Sequence, residues 1–328
     1  MLTAWLGGLG TKLTENWAGK ALSSASLFWL GGLSALLLGP GGDRRRSDLE
    51  AAFNGAPLAL QVVALVAAAA LVAASEQVSK GLALGVTRLL EGYWPRLANG
   101  LRAFLVRRVV SARSRDYKRW EALNYAIREE TDESLLEERQ LQYNEVERLL
   151  HRVPLESGVM PTRFGNVMRA AETRIAGRYG LDPIRCWPTF WLLLPEVART
   201  EISEARAAVD SRTQAWLWAA LFCLWTPLLC LVMPITWWWP WPMLLIGLSI
   251  AMIVYYGWLL PAATTYSELL DTVFGLYRAE LYKAFGQPMP ADPDSQRVAG
   301  ESLTTLIWRG LLDASDKKAT RHKTKKPR

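Results

Sequence analysis

The feature that most constrains this chain is a stretch of 55 residues without a single Asp, Glu, Lys or Arg, between Arg212 and Glu268. A segment rich in Trp and Pro interrupts it at 234–242. A membrane-spanning helix needs about 20 mostly apolar residues, because the hydrocarbon core is roughly 30 Å thick and a helix rises about 1.5 Å per residue. The segments Thr213–Ile235 and Met243–Ala263 both meet this requirement. The sequence therefore predicts an integral membrane protein.

Two further uncharged windows occur earlier in the chain, at Ala21–Gly42 and Ala51–Ser75. The first lacks the basic start and the cleavage site of a signal peptide, so we expect an uncleaved span that ends at Gly39–Gly42. The predicted fold class is all-α, because no segment has the pattern of a strand. The four predicted transmembrane helices lie at about 21–40, 57–76, 213–235 and 243–263.

The distribution of Lys and Arg predicts the orientation of these spans. Residues 80–119 carry ten Lys and Arg against two acidic residues. Because basic residues are enriched on the cytoplasmic side, the segment between spans 2 and 3 and both termini are predicted to be cytoplasmic. Arg44–Arg46 argue against this orientation, since they fall in a short loop at 41–56 that it places outside.

This topology divides the chain into five predicted segments. They are an N-terminal transmembrane hairpin (1–76), a helical cytoplasmic domain (77–212), a C-terminal transmembrane hairpin (213–263), cytoplasmic helices (264–312) and a basic, disordered tail (313–328). Within the cytoplasmic domain, Asp116–Arg152 has the charge pattern of one long helix, and its acidic cluster at 129–133 is interpreted as a solvated face. The apolar run 184–195 is too short to span, so we expect it at the membrane interface or in the cytoplasmic core.

Small residues indicate how the spans pack, because helices in lipid associate through close contact. Gly31 and Gly32 in span 1, with Gly81 and Gly85 just after span 2, predict that these two spans are the interior elements. Spans 3 and 4 carry the bulky residues typical of lipid-facing helices. No span contains a charged residue, which disfavours an active transporter and leaves a passive pore open.

Aromatic residues near the predicted span ends indicate interfacial anchors, because amphipathic rings prefer the level of the lipid headgroups. The predicted anchors are Trp237, Trp238, Trp239, Trp241, Tyr255 and Tyr256. A ligand cage formed by the Trp cluster is the alternative interpretation.

A basic amphipathic stretch follows span 2. Its arginines are Arg96, Arg102, Arg107 and Arg108, and apolar residues recur between them. Such a stretch beside a bilayer is typical of a segment that lies on anionic lipid headgroups. A basic vestibule that concentrates anions near a pore is an alternative. Nucleic-acid binding is disfavoured, because no recognisable nucleic-acid-binding module accompanies the arginines.

The most site-like segment is 160–182. Pro161 and Thr162 can begin a helix there, and Gly180 can end it. The candidate ligand or partner face consists of Arg163, Asn166, Arg169, Glu172 and Arg174. Such a face can bind a phosphate, a nucleotide or an acidic partner helix, or its charges can pair with one another in packing. Both interpretations remain open at the level of the sequence.

The sequence carries no motif of a common enzyme, cofactor or metal site. Its two histidines, His151 and His322, exclude His-rich metal centres, and its three scattered cysteines exclude a disulfide framework. Glycine-rich nucleotide loops and serine-nucleophile motifs are absent as well. We therefore predict no catalytic residue, no cofactor and no metal. A membrane enzyme acting on lipid stays an alternative, with Glu172, Asp182 and Glu196 as its candidate carboxylates.

The run RFGNVMRAAETRIAGRYGLDPIRCWPTFWLLLP, at 163–195, resembles a segment of uncharacterised multi-pass membrane proteins of high-GC bacteria. The resemblance covers about 150–310 and implies a bacterial plasma membrane, without functional residues. The layout is also similar in topology to bestrophin-type anion channels, which have four spans, internal termini and a helical insertion between spans 2 and 3. The apolar aromatic neck of the pore helix in those channels is missing from the Ala-rich span 2.

Three functional hypotheses follow. The first is a non-enzymatic homo-oligomer of the bacterial inner membrane, whose span 1–2 pairs surround a pore with a basic cytoplasmic mouth. The second is a membrane-anchored scaffold that docks a cytosolic protein partner through residues 80–212. The third is the enzyme acting on lipid. The expected partners are therefore a bilayer with anionic headgroups, further copies of this chain and a cytosolic protein.

Overall fold

The computed structural model describes residues 23–154, 158–232 and 238–310. Every regular element in these ranges is helical, which confirms the predicted all-α class. The α-helices are α1 (Ser24–Leu38), α2 (Gly42–Gly55), α3 (Leu58–Gly81), α4 (Ala83–Glu91), α5 (Asn99–Glu129), α6 (Glu133–His151), α7 (Arg163–Tyr179), α8 (Pro183–Leu193), α9 (Glu196–Phe222), α10 (Trp225–Val232), α11 (Trp241–Ile253), α12 (Leu260–Ala284) and α13 (Pro293–Arg309). Trp237 and the predicted disordered tail lie outside the described residues.

Three segments within the described ranges are long and apolar enough to cross a membrane: Leu58–Gly81, Glu196–Leu231 and Trp241–Ala284. A fourth crossing requires α1 and α2 to act together, although they are bent by 112° across a short break. Alone, α1 has 15 residues, fewer than the roughly 20 that a span needs. The structure thus supports three spans, or four if the bent pair counts as one.

The loop predicted at 41–56 is wrong, because α2 occupies almost all of it. Its Arg, Leu, Glu and Ala residues are good helix formers, and that local preference outweighs the charge pattern on which the loop was predicted. The preceding break does fall where expected, since α1 ends at Leu38 and Gly41 has a φ of 73°. That positive φ favours glycine at the start of α2.

The chain divides into two compact units, which we describe separately. The first unit contains the described residues up to Thr87 together with 210–259. The second unit contains the described residues of 88–209 together with those from Leu260 onwards.

In the first unit, α1 packs closely against the chain around the α9–α10 junction. A β-carbon added to Gly32 would lie 1.7 Å from the Trp225 ring, and one added to Gly31 would lie 2.6 Å from Phe222. The Trp225 Nε1 also donates a hydrogen bond to the main-chain oxygen of Phe28, at 3.1 Å. Gly31 and Gly32 are therefore packing residues, but these close contacts are with the C-terminal hairpin and not with span 2.

Within a single chain, helix α3 is not the interior element that was predicted for span 2. No residue in its most apolar window is buried, whereas 22% of the corresponding window is buried in each of the other two candidate spans. One contact with α1 is a hydrogen bond from Trp29 Nε1 to Ser75 Oγ, at 3.2 Å. β-carbons added to Gly81 and Gly85 would meet no atom within 4 Å. Small residues permit close packing, but they do not determine which neighbour is close.

The predicted aromatic anchors differ in their surroundings. Trp239 donates a hydrogen bond from Nε1 to the main-chain oxygen of Ala35, at 3.0 Å, and so packs against α1. Trp238 and Trp241 are exposed on this unit. Tyr255 and Tyr256 lie in a π-helical segment between α11 and α12, where their rings form an edge-to-face pair. An interfacial role for the exposed rings stays a prediction.

The second unit has a core built from α7, α8, α9, α12 and α13. Phe190 and Phe274 stack with ring centroids 4.2 Å apart, and both are fully buried. Cys186 and Leu303 are buried in the same cluster. One face of the apolar run 184–195 therefore belongs to this core. Ile184 and Leu192 are exposed, so a place at the membrane interface stays a prediction for the other face.

The predicted boundaries of α7 agree with the structure. Thr162 is its N-cap, where Oγ1 accepts a hydrogen bond from the Gly165 N–H at 3.0 Å. The same hydroxyl donates to the main-chain oxygen of Leu90, at 2.6 Å, and so ties α7 to the end of α4. Gly180 ends the helix with a φ of 68°, a left-handed conformation that favours glycine.

Helices α5 and α6 form a hairpin where one long helix was predicted. The break falls at 130–132, inside the acidic cluster that was interpreted as a solvated face. Asp132 caps α6 by accepting a hydrogen bond from the Ser134 N–H at 3.0 Å. The Glu130 carboxylate accepts hydrogen bonds from the N–H groups of Thr131 and Asp132. It also forms a salt bridge with Arg139 at 2.7 Å. Acidic side chains compete with a continuing helix by bonding to nearby main chain, which explains the turn.

Candidate functional site

The predicted face on α7 does not form one site. Asn166 is buried, where Oδ1 accepts from the Met160 N–H at 2.7 Å and Nδ2 donates to the Met160 oxygen at 2.9 Å. Both hydrogen bonds stabilise the chain that enters α7. Arg169 pairs with Glu172 at 2.6 Å on the same helix, and Arg163 is exposed at its first position. These contacts favour the packing interpretation for Asn166, Arg169 and Glu172.

Arg174 belongs to a different environment. Its Nε lies 3.2 Å from Asp271 Oδ2 on α12, and its Nη1 donates a hydrogen bond to the main-chain oxygen of His151 at the end of α6. Arg178, one turn later, lies 3.6 Å from the same carboxylate oxygen. Arg174 therefore links three helices, and the open space around it is the best candidate site in the second unit.

A cavity of about 400 Å³ lies between α5, α6 and α7. Its volume falls within the range of small-molecule sites, roughly 300–1,000 Å³. The cationic and aromatic side chains that line it are Arg113, Tyr117, Trp120, His151, Arg174 and Arg178. Glu147 is the one acidic residue in the lining among the residues that the structure describes. The cavity therefore has a positive wall and an aromatic wall.

Among the three arginines that line this cavity, Arg113 is the one without a carboxylate partner in the described part of the chain. It makes no salt bridge within the described part of the chain, and its Nε is buried there without a hydrogen-bond acceptor. A buried donor left without an acceptor costs free energy, and the cost is greater for a charged group. The guanidinium of Arg113 lines the cavity, and its planar shape matches the geometry of carboxylate and phosphate oxygens.

The aromatic wall is organised within the α5–α6 hairpin. The rings of Tyr117 and Trp120 are nearly parallel, with an interplanar angle of 27° and centroids 5.8 Å apart. Trp120 also packs on Tyr143 of α6, with centroids 5.7 Å apart. The contact with Tyr143 holds the Trp120 ring in place, so it offers a positioned surface for a flat group.

A second, smaller cavity of about 150 Å³ lies beside His151 and Arg174, which line both cavities. Arg148, Arg152 and Glu268 add to its lining. Within the described ranges, five arginines and two glutamates line the two cavities together, and Asp271 offsets part of this excess through Arg174 and Arg178. We call this pair of cavities the arginine cleft.

A carboxylate pair lies elsewhere in the second unit. Burial raises the pKa of Glu91, and the nearby charge of Glu172 raises that pKa further, while Arg206 and Arg88 act in the opposite direction. The main-chain oxygen of Glu91 lies against Gly165, where an added β-carbon would come within 2.0 Å. Glu91 therefore lies at the tight contact between α4 and α7.

The three carboxylates proposed for a lipid enzyme have local partners. Glu172 pairs with Arg169 at 2.6 Å. Asp182 caps α8 through the Ile184 N–H, and Glu196 pairs with Arg199 at 3.5 Å. Each partner lies three residues or fewer along the chain, a local arrangement typical of capping and helix-surface pairs. Among the described residues, no group of three or more His, Cys, Asp or Glu side chains is placed to hold a metal ion.

Sequence reasoning found Arg174 but missed most of the arginine cleft. A usable signal was present, because Arg113, Tyr117 and Trp120 follow one another at spacings of four and three residues and so share a face of α5. Their meeting with His151 and Arg178 depends on how the hairpin packs on α7, and no local pattern specifies that packing.

No protein-family model, curated protein or solved structure matches this chain. Its function is therefore argued from the geometry of the cleft and from the candidate spans.

Proposed function

We propose that this chain is a membrane-anchored binding protein, whose candidate spans hold it in a bilayer and whose second unit binds an anionic ligand in the arginine cleft. The observation that carries the proposal is the guanidinium of Arg113, which lines a cavity of about 400 Å³ and makes no salt bridge within the described part of the chain. This proposal is closest to the scaffold hypothesis, with the partner now a small anion.

The charges around Arg113 support an anion over a cation. Arg174 and Arg178 share one carboxylate, Asp271, so the lining keeps a positive excess. Arginine cannot lose its charge in a protein, and therefore the excess persists at every physiological pH. A positive, partly enclosed cleft raises the local concentration of anions.

The ligand class follows from both walls of the larger cavity. The arginines recognise a phosphate or a carboxylate, and the Tyr117–Trp120 pair offers a surface on which a planar ring can stack. We therefore propose a small molecule that carries an anionic group on a planar ring system. Adenosine monophosphate is a suitable probe, because it combines a phosphate with a flat base.

The test is isothermal titration of the full chain, purified in an uncharged maltoside detergent, with adenosine monophosphate. We expect a Kd below about 1 mM, and Arg113→Gln is expected to weaken binding at least about tenfold, which corresponds to about 1.4 kcal/mol. Arg107→Gln is the matched control, since Arg107 is exposed on the same helix and outside the cleft. Inorganic phosphate and adenosine are titrated separately. The affinity for phosphate reports the contribution of the arginines, and the affinity for adenosine reports that of the Tyr117–Trp120 pair.

Two results would contradict the proposal. One is the absence of binding for both adenosine monophosphate and inorganic phosphate at millimolar concentration. The other is equal affinity in wild type and Arg113→Gln, which would place any binding outside the cleft.

A second candidate function is self-association around α3, which underlies the pore hypothesis. The observation that favours it is that no residue in the most apolar window of Leu58–Gly81 is buried in a single chain. Alanine and glycine residues on such a helix allow a second copy to approach closely. Native mass spectrometry in mild detergent tests it: a closed oligomer of four or more chains supports a pore, and a monomer excludes one.

The location of the protein is also a proposal. We infer a bacterial inner membrane from the resemblance of 163–195, with the second unit in the cytoplasm because basic residues dominate 80–119. Protease protection of the full chain in oriented vesicles tests this orientation. Cleavage in the α5–α6 hairpin from the outer side would contradict it.

A further inference from the structure

The start of helix α5 exposes apolar side chains that no described part of the chain covers. Leu97, in the 3₁₀ turn before α5, is 100% exposed, and Leu101 and Phe104 are each 55% exposed. Helix α5 itself has 31 residues and no buried residue. Single exposed apolar residues are common on proteins, so the arrangement of these three has to carry the argument.

These side chains are spaced for one face. Leu101 and Phe104 are three residues apart in the helix, and Leu97 precedes Leu101 by four. Arg96, Arg102, Arg107 and Arg108 lie among them. No ion pair to these four arginines occurs within the described part of the chain. The segment 96–108 therefore combines an uncovered apolar stripe with uncompensated positive charge.

The positive charge of residues 96–108 limits which surfaces can cover the apolar side chains of Leu97, Leu101 and Phe104. No Asp or Glu occurs between Glu91 and Asp116, so the whole segment is positive. A second copy of this chain meeting it symmetrically would place arginines against arginines, and like charges disfavour that contact. An anionic lipid surface offers the opposite charge together with an apolar layer beneath it.

We propose that residues 96–108 lie on the surface of an anionic bilayer, with Leu97, Leu101 and Phe104 entering the acyl boundary and the four arginines at the headgroups. The α5–α6 hairpin is then held to the membrane by its base, in addition to the candidate spans. This inference is independent of the arginine cleft, because the cleft begins at Arg113 and uses none of these residues.

The proposal is tested with the full chain in nanodiscs, either of neutral phosphatidylcholine alone or with about 30% phosphatidylglycerol. A nitroxide is attached to Leu101→Cys after the three native cysteines are replaced by Ala, and an unchanged Tm shows that this background folds. The ratio of its accessibility to oxygen over its accessibility to a water-soluble nickel complex reports insertion. A nitroxide at Tyr125→Cys, exposed near the other end of α5, is the control position.

We expect the accessibility ratio at position 101 to be at least about threefold higher with anionic lipid than with neutral lipid, and to fall back at about 1 M salt, where charges are screened within about 3 Å. Replacing the four arginines by Gln is expected to abolish the difference, while position 125 stays water-accessible throughout. A ratio at 101 that is equal in the two lipids would overturn the proposal. Protection of position 101 from both reagents in both lipids would also overturn it, because a protein surface would then cover the stripe.

Discussion

A β-carbon built on Gly165 would lie 2.0 Å from the main-chain oxygen of Glu91. No real side chain tolerates such a distance, so helices α4 and α7 meet here as closely as two backbones allow. The hydroxyl of Thr162 completes the contact by donating to the main-chain oxygen of Leu90. The carbonyl end of α4 thus faces the amide end of α7, which is the favourable arrangement of the two helix dipoles.

The Gly165 contact predicts a loss of stability for Gly165→Ala. Because the obstacle is main chain and cannot rotate away, we expect a loss of about 2 kcal/mol or more in the free energy of unfolding. Gly177→Ala in the same helix is the matched control, since a β-carbon there meets no atom within 4 Å. It is expected to stabilise by about 0.5–1 kcal/mol through helix propensity. Thermal unfolding in detergent compares the two, and equal effects would contradict the close approach.

Glu91 predicts how stability depends on pH. Its pKa is raised by burial and by Glu172, so the folded chain holds this proton more tightly than the unfolded chain does. The stability that this group contributes is therefore complete below its unfolded pKa, and it is lost as the pH rises through the folded pKa. Glu91→Gln cannot ionise, and its Tm is expected to rise relative to wild type between about pH 4 and pH 8. Parallel Tm profiles would refute this, and Glu121→Gln, exposed on α5, serves as the control.

Asp271 predicts opposite effects on stability and on anion binding. Its Oδ2 forms ion pairs with Arg174 Nε at 3.2 Å and with Arg178 Nη1 at 3.6 Å, and its side chain is largely buried. Asp271→Asn is expected to cost about 2 kcal/mol of stability, because two arginines lose their carboxylate. The same change leaves the cleft more positive, so the affinity for adenosine monophosphate is expected to rise severalfold. Unchanged or weaker affinity in titration would contradict the role of the cleft. Asp43→Asn removes an exposed pair and is expected to change neither quantity.

The burial of Cys186 leads us to predict that its thiol is unreactive in the folded protein. It is fully buried in the core of the second unit, and burial raises its pKa, although the Thr304 hydroxyl at 3.6 Å opposes that shift. The thiolate is the reactive form, so Cys186 is expected to resist maleimide in the folded protein and to react after unfolding in sodium dodecyl sulfate. Peptide mass spectrometry measures both states. Comparable labelling in the two would show that α8 is not packed as described.

Local sequence patterns correctly predicted the features that depend only on residues close together in the chain. The uncharged stretch after Arg212 predicted two long apolar helices, because a span is recognised from hydropathy and length alone. Thr162 and Gly180 predicted the ends of α7 for the same reason, since a cap involves residues within a few positions. The resemblance of 163–195 predicted a bacterial plasma membrane as the location. This location stays a proposal, because no family model, curated protein or solved structure matches the chain.

Two predictions from local patterns were wrong, one because local hydrogen bonds compete with the helix and one because the outcome depended on distant partners. Asp116–Arg152 had the charges of a continuous helix, but the carboxylates at the turn bond to main chain and to Arg139, and the helix folds back on itself. Gly81 and Gly85 had the same small-residue character as Gly31 and Gly32, yet only the second pair has a close neighbour among the described residues.

The sequence by itself determined the helical class, the candidate spans and the basic stretch at 96–108, because hydropathy, capping and charge are properties of consecutive residues. Tertiary structure alone decided that Arg113 of α5 meets Arg174 and Arg178 of α7 in one cavity, and that Asn166 serves packing. The physical reason is that a cavity is made by the packing of helices far apart in sequence. The charged and aromatic side chains that line it come from three helices, and no single local pattern contains them all.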